Sequence, residues 1–436
     1  MEKEFTNKES NAHLIDEAFE QKISKYNLSV EKILPIVVIS VIVDMLGYIM
    51  IMPLLPFYAQ SFGASDFTIG IITSLNAVTS LMSGPVWGRL SDKYGRKPIL
   101  LISQAGTLAS FIILAISNST WMLMLSRIID GLFGGQIPVI NATITDVTAP
   151  ETRSEKMAVM AVSMTVGSIV GPTIGGYLGG LNITYPAYAA CVMSVIAIIS
   201  TTMIFTETMP VERRQDIKEW LEVKVKGAKG LVFTRQVVLR LAQVFSMTLV
   251  FGMIFSSLSL ILNQRYGATS FSIGNIMTAM GVCTFFFGIV LMKRVKDRMG
   301  EQRMLLLAIM FLIVGYLLMP SLPTFTSFYI FIVVFSAGTN FARPIIRSNL
   351  SRAVDEDKQG LISGYSTTVE SVARTIAPLI STGWLQLGGL TIGLLTLNEF
   401  YMIAATGALA GLMFLGFFLA DQKKASLPQP VEPIKS

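Results

Sequence analysis

Ionisable residues lie inside long apolar runs, among them Asp44, Arg127, Asp130, Arg343, Glu370 and Arg374. A charge in hydrocarbon is costly, so residues of this kind usually bind or move something charged. Arg127 and Asp130 are three residues apart, and Glu370 and Arg374 four, so on a helix each pair shares a face. Such a pair either closes as a structural ion pair or works as a switch. In a switch, protonation of the acid or arrival of a polar ligand breaks the contact and shifts a conformational balance. Asp44 has no charged neighbour at helical spacing and is the first choice for binding a proton or a substrate. The single histidine, His13, falls in the polar N-terminal stretch, so a proton carried through the apolar runs must ride on a carboxylate. Arg343, with Arg347 one turn further on, offers a grip for an anionic group; alternatively, Arg347 reaches the membrane surface.

The elements that must hold these residues are membrane helices. The chain has 436 residues, 52% of them hydrophobic and only 14% charged, against about a quarter charged in soluble proteins. Runs long enough to cross ~30 Å of hydrocarbon predict twelve helices. The first six lie near 33–58, 67–87, 98–117, 120–146, 157–181 and 186–206; the second six near 237–262, 271–292, 304–320, 325–350, 360–388 and 396–420. Basic residues set the orientation. Of the 34 lysines and arginines, 28 fall in the two tails and in the loops after helices 2, 4, 6, 8 and 10; the opposite loops hold only Arg265. Both termini are therefore expected in the cytoplasm, and the membrane is expected to be the cell membrane. The net charge of +6 is accounted for by these loops rather than by a nucleic-acid partner.

The fold class expected is an all-α membrane protein of two parallel six-helix repeats. Its parts are a tail (1–32), an N-terminal bundle (33–206), a linker (207–236), a C-terminal bundle (237–420) and a second tail (421–436). Residues 1–32 lack the apolar core of a cleavable signal peptide. In the linker, Ile217, Trp220, Leu221 and Val225 fall roughly on one helical face among Lys218, Lys224, Lys226 and Lys229. That pattern fits a helix lying on the anionic inner leaflet, or a solvated tether. Cys191 and Cys283 sit in apolar runs, so neither a disulfide nor a metal site is expected. The sequons at Asn118 and Asn182 are in loops too short to favour glycosylation.

The repeats are read from a duplicated loop. Gly88-Arg89-Leu90-Ser91-Asp92-Lys93-Tyr94-Gly95-Arg96-Lys97 lies between two apolar runs, and a worn copy runs from Lys293 to Arg303. Asp92 maps onto Asp297 and Gly95 onto Gly300, each 205 residues apart, with Arg298 and Arg303 as the copy's further cations. Gly171-Pro172 likewise maps onto Ala377-Pro378, 206 apart. Glycine at 88 and 95 would permit a tight turn. Gly167, Gly171, Gly175 and Gly176 are expected to line one helical face for close backbone packing, with Pro172 adding a bend.

The 88–97 loop resembles the cytoplasmic loop signature of the major facilitator superfamily. Arg127-Ile-Ile-Asp130-Gly131 resembles its Arg-x-x-x-Gly motif, and Gly167 to Gly176 its antiporter motif. Asp44-Met-Leu-Gly47 with Pro53-Leu-Leu-Pro56 is similar to twelve-helix drug and tetracycline exporters. The resemblance spans about residues 33–420. It implies alternating access between two bundles and exchange of substrate for protons. It implies that Asp92 meets the N-terminal end of helix 11 and that Arg96 pairs with Asp146, closing the cytoplasmic ends. Asp130, Arg343 and Arg347 depart from the family pattern: Asp130 either adds a second protonation site or narrows the substrate range, and the two arginines argue against purely cationic drugs.

The function expected is proton-coupled export of a small organic molecule or drug, with the lipid bilayer as surroundings and a single copy of the chain as the working unit. A symporter or uniporter for a metabolite is the nearest alternative, and a non-transporting receptor a more distant one. No cofactor is expected. No Gly-x-x-x-x-Gly-Lys-Ser/Thr loop is present for ATP, and an enzyme is the least expected class, lacking paired metal ligands within the membrane.

Overall fold

The computed structural model describes residues 30–134, 136–149, 152–209, 214, 234–354, 358–388, 390–392, 395–397 and 399–425. The apolar linker face at Ile217, Trp220, Leu221 and Val225 lies outside the described residues, as do most of both tails.

Long apolar runs give nearly all-helical described residues, even with prolines inside several of the helices. The N-terminal helices are α1 (Val30–Ile51), α2 (Leu55–Ser61), α3 (Asp66–Tyr94), α4 (Arg96–Ala115), α5 (Thr120–Phe133), α6 (Gln136–Val147), α7 (Arg153–Leu181) and α8 (Tyr185–Ile204). The C-terminal helices are α9 (Arg235–Tyr266), α10 (Ser270–Phe285), α11 (Met292–Leu318), α12 (Phe328–Ser351), α13 (Gln359–Leu387) and α14 (Glu399–Ala425). A π-helical turn, Phe286–Leu291, joins α10 to α11.

Among the described residues, ten stretches are long and apolar enough to cross a membrane. One of them, Ser270–Ser321, has 52 residues. As one straight helix it would run ~78 Å, more than twice the ~30 Å of hydrocarbon. Gly300 breaks it, with φ 78 and ψ 161 inside an otherwise helical run. Gly95 at the start of α4 has nearly the same backbone, φ 103 and ψ 160. The two glycines that match in the duplicated loop thus make the same turn, in a φ region that L side chains rarely adopt. Helix boundaries keep the spacing too: α7 and α13 each have 29 residues and begin at Arg153 and Gln359, 206 apart.

Three local differences from the expected helices have physical causes. The fourth predicted span is two helices, broken at Gly134. Gly88 is helical within α3, so the turn rests on Gly95 alone. After Gly388 ends α13, the chain forms a short antiparallel hairpin of β1 (Leu390–Ile392) and β2 (Leu395–Leu397), pairing Leu390 with Leu397 and Ile392 with Leu395. Threonine and isoleucine in this stretch favour extended backbone, so the last helix starts at Glu399.

The described residues fall into two compact units. The first draws on Met1–Ser65, Leu75–Val223 and Ala268–Gly281; the second on Asp66–Ser74, Lys224–Gly267 and Val282–Ser436. In the first, Ile33, Val37, Val41, Ile99, Val139 and Ile144 form a buried apolar core. In the second, Phe328, Phe331 and Phe335 pack in series, and the Tyr316 ring meets Phe335 edge-on. Arg265 donates to the carbonyls of Met319, Pro320 and Leu322. The one basic residue of the opposite loops is therefore spent on closing the C-terminal end of α11.

Candidate functional site

Asp130 lies on α5, whose Ser126, Arg127, Asp130 and Gly131 are all buried. Arg127 Nη1 is 3.3 Å from Asp130 Oδ2, and the two side chains are 0% and 7% exposed. Two neutral donors complete the shell. Asn76 Nδ2 on α3 donates to Oδ2 at 2.8 Å, and Ser110 Oγ on α4 to Oδ1 at 3.3 Å. Gly131 follows because α3 passes close by: a Cβ there would fall 1.9 Å from Thr79 Oγ1. Three donors satisfy the carboxylate within the first unit, while Arg127 Nη2 is buried without a hydrogen-bond partner among the described residues.

The second pair is built differently. Glu370 on α13 accepts from Arg374 Nη2 at 3.3 Å, and also from Arg347 Nη2 of α12 at 3.0 and 3.1 Å. Glu370 is 12% exposed, whereas Arg347 and Arg374 are 67% and 59% exposed. Arg343, one turn from Arg347, places its guanidinium carbon 4.4 Å from the Phe251 ring centre. All these residues belong to the second unit. Asp44 is a residue of α1, and its side chain lies outside the described ones.

The 88–97 loop forms a clasp. Arg96, 5% exposed, donates from Nη1 to Asp92 Oδ1 at 2.6 Å and to Ser91 Oγ at 2.6 Å. Its Nε donates to Asp146 Oδ2 at the end of α6, 3.0 Å away. Glu207, beyond α8, accepts from the backbone N–H of Arg96 at 2.7 Å and of Lys97 at 3.2 Å. A carboxylate there caps the positive end of α4. It also explains why position 95 has no side chain, since a Cβ would fall 2.4 Å from Glu207 Oε2. Lys97 Nζ donates to the Thr202 carbonyl at 2.8 Å, and Arg89 is half-buried on α3.

In the copied loop the pairing moves to residues not singled out above. Asp297, Arg298 and Arg303 are exposed, and among the described residues none of them forms an ion pair. Glu301 instead pairs with Lys296 at 2.7 Å and with Arg352, just past α12, at 3.0 Å. Glu301 stands 205 residues after Arg96, and Arg352 stands 206 after Asp146. The two clasps occupy matching positions with their charges exchanged. The Lys296 hydrogen bond outweighs the opposing effect of burial and, with a lesser one from Arg352, holds the Glu301 carboxyl below its ordinary range.

The glycine run of α7 presents two faces rather than one. At about 100° per residue, Gly167, Gly171 and Gly175 stay together while Gly176 turns away from Gly167. A Cβ at Gly167 would lie 3.0 Å from Met45 Cβ, and one at Gly175 would lie 2.3 Å from the Met50 carbonyl, so this face packs on α1. Gly176 meets α10: a Cβ there would be 2.7 Å from Gly274 Cα. Beside it, the hydroxyls of Thr173 and Thr278 are 2.6 Å apart. Pro172 lies between the two contacts, inside an unbroken helix.

Asn76, Ser110, Glu207 and Gly274 were not legible as partners. Each is an ordinary residue type whose role comes from a distant segment. The exchanged signs at 301 and 352 carried a signal, because both positions fall on the repeat spacing.

The sequence profile described as Major Facilitator Superfamily matches residues 37–378 and, in an overlapping second match, 241–436. The chain is 27% identical over 349 residues to the tetracycline resistance protein, class H, of Pasteurella multocida, covering 79% of this chain and 87% of that one. It is 24% identical over 366 residues to multidrug resistance protein 2 of Bacillus subtilis (strain 168), covering 82% and 90%. Among solved structures, the human organic anion transporter MFSD10 (TETRAN) superposes with a TM-score of 0.66 at 20% identity, covering 90% of this chain and 100% of that one. At that identity the likeness shows the fold alone.

Proposed function

Because the chain belongs to the Major Facilitator Superfamily, and is thus a membrane transporter rather than an enzyme, we propose that it exports a small organic molecule in exchange for protons. Twelve helices cross the membrane in this reading: the ten apolar stretches, with Ser270–Ser321 divided at Gly300 and α13 added. They form two parallel six-helix bundles that alternate access to a central site, as inverted and parallel repeats do in other secondary transporters. Both termini lie in the cytoplasm of a cell-membrane protein, and the clasps at 88–97 and 293–303 hold the cytoplasmic ends. The resistance-protein names of the relatives support export.

The observation that carries the reading is a pair of carboxylate–arginine networks inside apolar helices, Arg127–Asp130 and Arg347–Glu370–Arg374. Neither is needed to fold a helix bundle, and each contains a carboxylate able to take up a proton. Asp44, Asp130 and Glu370 are the proton carriers of this reading, and Arg127 and Arg374 respond when their acids are neutralised. The Gly167–Gly175 face on α1 and the Gly176–Gly274 contact are the close-packed seams along which helices shift.

The test is proton-coupled transport in everted vesicles with an acid lumen, screened across a panel of dyes and antibiotics. Addition of a substrate should make the lumen more alkaline while the substrate accumulates. Accumulation that requires an alkaline lumen would assign symport instead. Asp44→Asn, Asp130→Asn and Glu370→Gln, tested singly, rank the three acids. If all three leave proton flux unchanged, the carboxylates are structural and the reading fails.

A further inference from the structure

The two intramembrane ion-pair networks differ in how much positive charge they leave over. In the first unit Arg127 and Asp130 balance, and both are buried at 0% and 7% exposure. In the second unit three arginines, Arg343, Arg347 and Arg374, gather around one acid. Among the described residues Glu370 is the only carboxylate that pairs with Arg347 and Arg374, and Arg343, whose guanidinium lies over Phe251, forms no ion pair. The patch therefore carries a formal excess of two positive charges.

Position makes that excess informative. Arg343 is eight residues from the end of α12, ~12 Å along the axis, and Arg374 is fifteen residues from the start of α13, ~22 Å in. Charges at such depth face a bundle interior or water, because facing lipid is prohibitive. Their side chains are exposed while Glu370 is largely covered. The cationic ends are thus presented outward, and the acid holds them from behind. A planar guanidinium suits a carboxylate or sulfonate better than a point charge does, because it donates two parallel N–H groups.

The wall beside the patch is aromatic. Phe251 stacks against Phe255 at 5.5 Å and Phe335 at 6.4 Å, with the Arg343 guanidinium over the Phe251 ring. Phe251 and Phe255 are half-buried, so part of each ring is available to a ligand. A guanidinium over a ring face is a natural seat for an aromatic acid, whose own ring extends the stack while its anionic group meets the arginines.

We infer that Arg343, Arg347 and Arg374 bind the anionic group of an aromatic organic acid, with Phe251 and Phe255 receiving its ring. The substrate class is organic anions, which rests on the transport reading above. Glu370 acts as the internal anion that holds the arginines together until the ligand displaces it. The ligand and Glu370 therefore compete for the same guanidinium groups. A purely cationic substrate would find Glu370 flanked by three positive charges and would be repelled.

The test is direct binding to the purified full-length protein in nanodiscs, with carboxyfluorescein, a naphthalene sulfonate and salicylate as anionic probes and rhodamine 123 as a cationic one. At least one anion should bind with a Kd below ~1 mM. Arg343→Gln and Arg374→Gln should each weaken it ~10-fold or more, and Arg343→Lys should recover part of the loss. Glu370→Gln should strengthen anion binding, the reverse of a merely structural role. Thermal melting of each variant separates lost binding from lost fold. The inference is overturned if no anion binds, if the arginine variants bind anions as wild type does, or if Glu370→Gln weakens anion binding. Transport is measured in parallel on everted vesicles. Proton-coupled movement of rhodamine 123 without anion binding would sink the inference and leave the transport reading standing. Anion binding at the arginines with no proton-coupled transport of any probe would do the opposite.

Discussion

A double-mutant cycle across the Arg96–Asp146 contact, repeated on Glu301–Arg352, tests whether the two clasps are unequal. Arg96 is almost fully buried and serves two acids at once, Asp92 at 2.6 Å and Asp146 at 3.0 Å. Removing one partner of a buried pair costs ~3–5 kcal/mol. Here water reaches the orphaned acids, since Asp92 is 28% and Asp146 is 17% exposed. Arg96→Gln should therefore cost less, about 2–4 kcal/mol. Asp146→Asn leaves Arg96 its contact with Asp92 and keeps an acceptor in place, so about 1–2 kcal/mol is expected, as for one hydrogen bond to a charged group. The coupling between positions 96 and 146 should then be ~1–2 kcal/mol.

In the second clasp Glu301 is 23% and Arg352 is 62% exposed. An ion pair this open is worth about 0.5 kcal/mol, so its coupling should be about half of the first or less. Equilibrium unfolding of the singles and doubles in mixed micelles reads both numbers. Transport by the same variants shows whether the loss falls on cycling. Equal couplings, or a larger one at 301 and 352, would refute the reasoning, because burial would then not be what separates the clasps.

Other outcomes follow from the same geometry. Asp130→Asn should destabilise the first unit by about 3 kcal/mol or more, since Arg127 would be left buried and charged; an Arg127→Met, Asp130→Leu double variant that restores melting but not proton flux separates fold from coupling. Gly95→Ala should cost more than Gly300→Ala. Both force an unfavourable φ, worth ~1–3 kcal/mol, but only the first pushes a Cβ into Glu207, as chemical unfolding would register. Gly176→Val should lower the melting temperature more than Gly180→Val, because a Cβ at 176 meets Gly274 backbone at 2.7 Å while one at 180 has its nearest neighbour at 3.9 Å. Glu301 has a lowered pKa, so its contribution is present above the unfolded value and fades as pH falls through the folded one. Melting followed from pH 6 down past the ordinary carboxylate range should show this loss in wild type and not in Glu301→Gln, whose curve should be flatter.

What the sequence made legible was whatever depends on local spacing. Glycines 205 residues apart adopt the same backbone at 95 and 300, and acids placed three or four residues from an arginine meet it at 130 and 370. Spacing says nothing of Asn76, Ser110 or Arg347, which reach those acids from other helices. Nor does it separate the two faces of the α7 glycines, because a step from 175 to 176 looks like continuity in a string but is a turn of about 100° on a helix. The second clasp was hidden for a different reason. Matching residue to residue aligns Asp92 with Asp297, yet the pair that closes the loop is carried by positions 96 and 146, whose counterparts Glu301 and Arg352 have the opposite signs. Attraction depends on the product of two charges, and exchanging both leaves it unchanged. A duplicated contact can therefore persist while every residue in it changes type. Looking for complementary pairs at a fixed offset, rather than for identical residues, is the reading that recovers it.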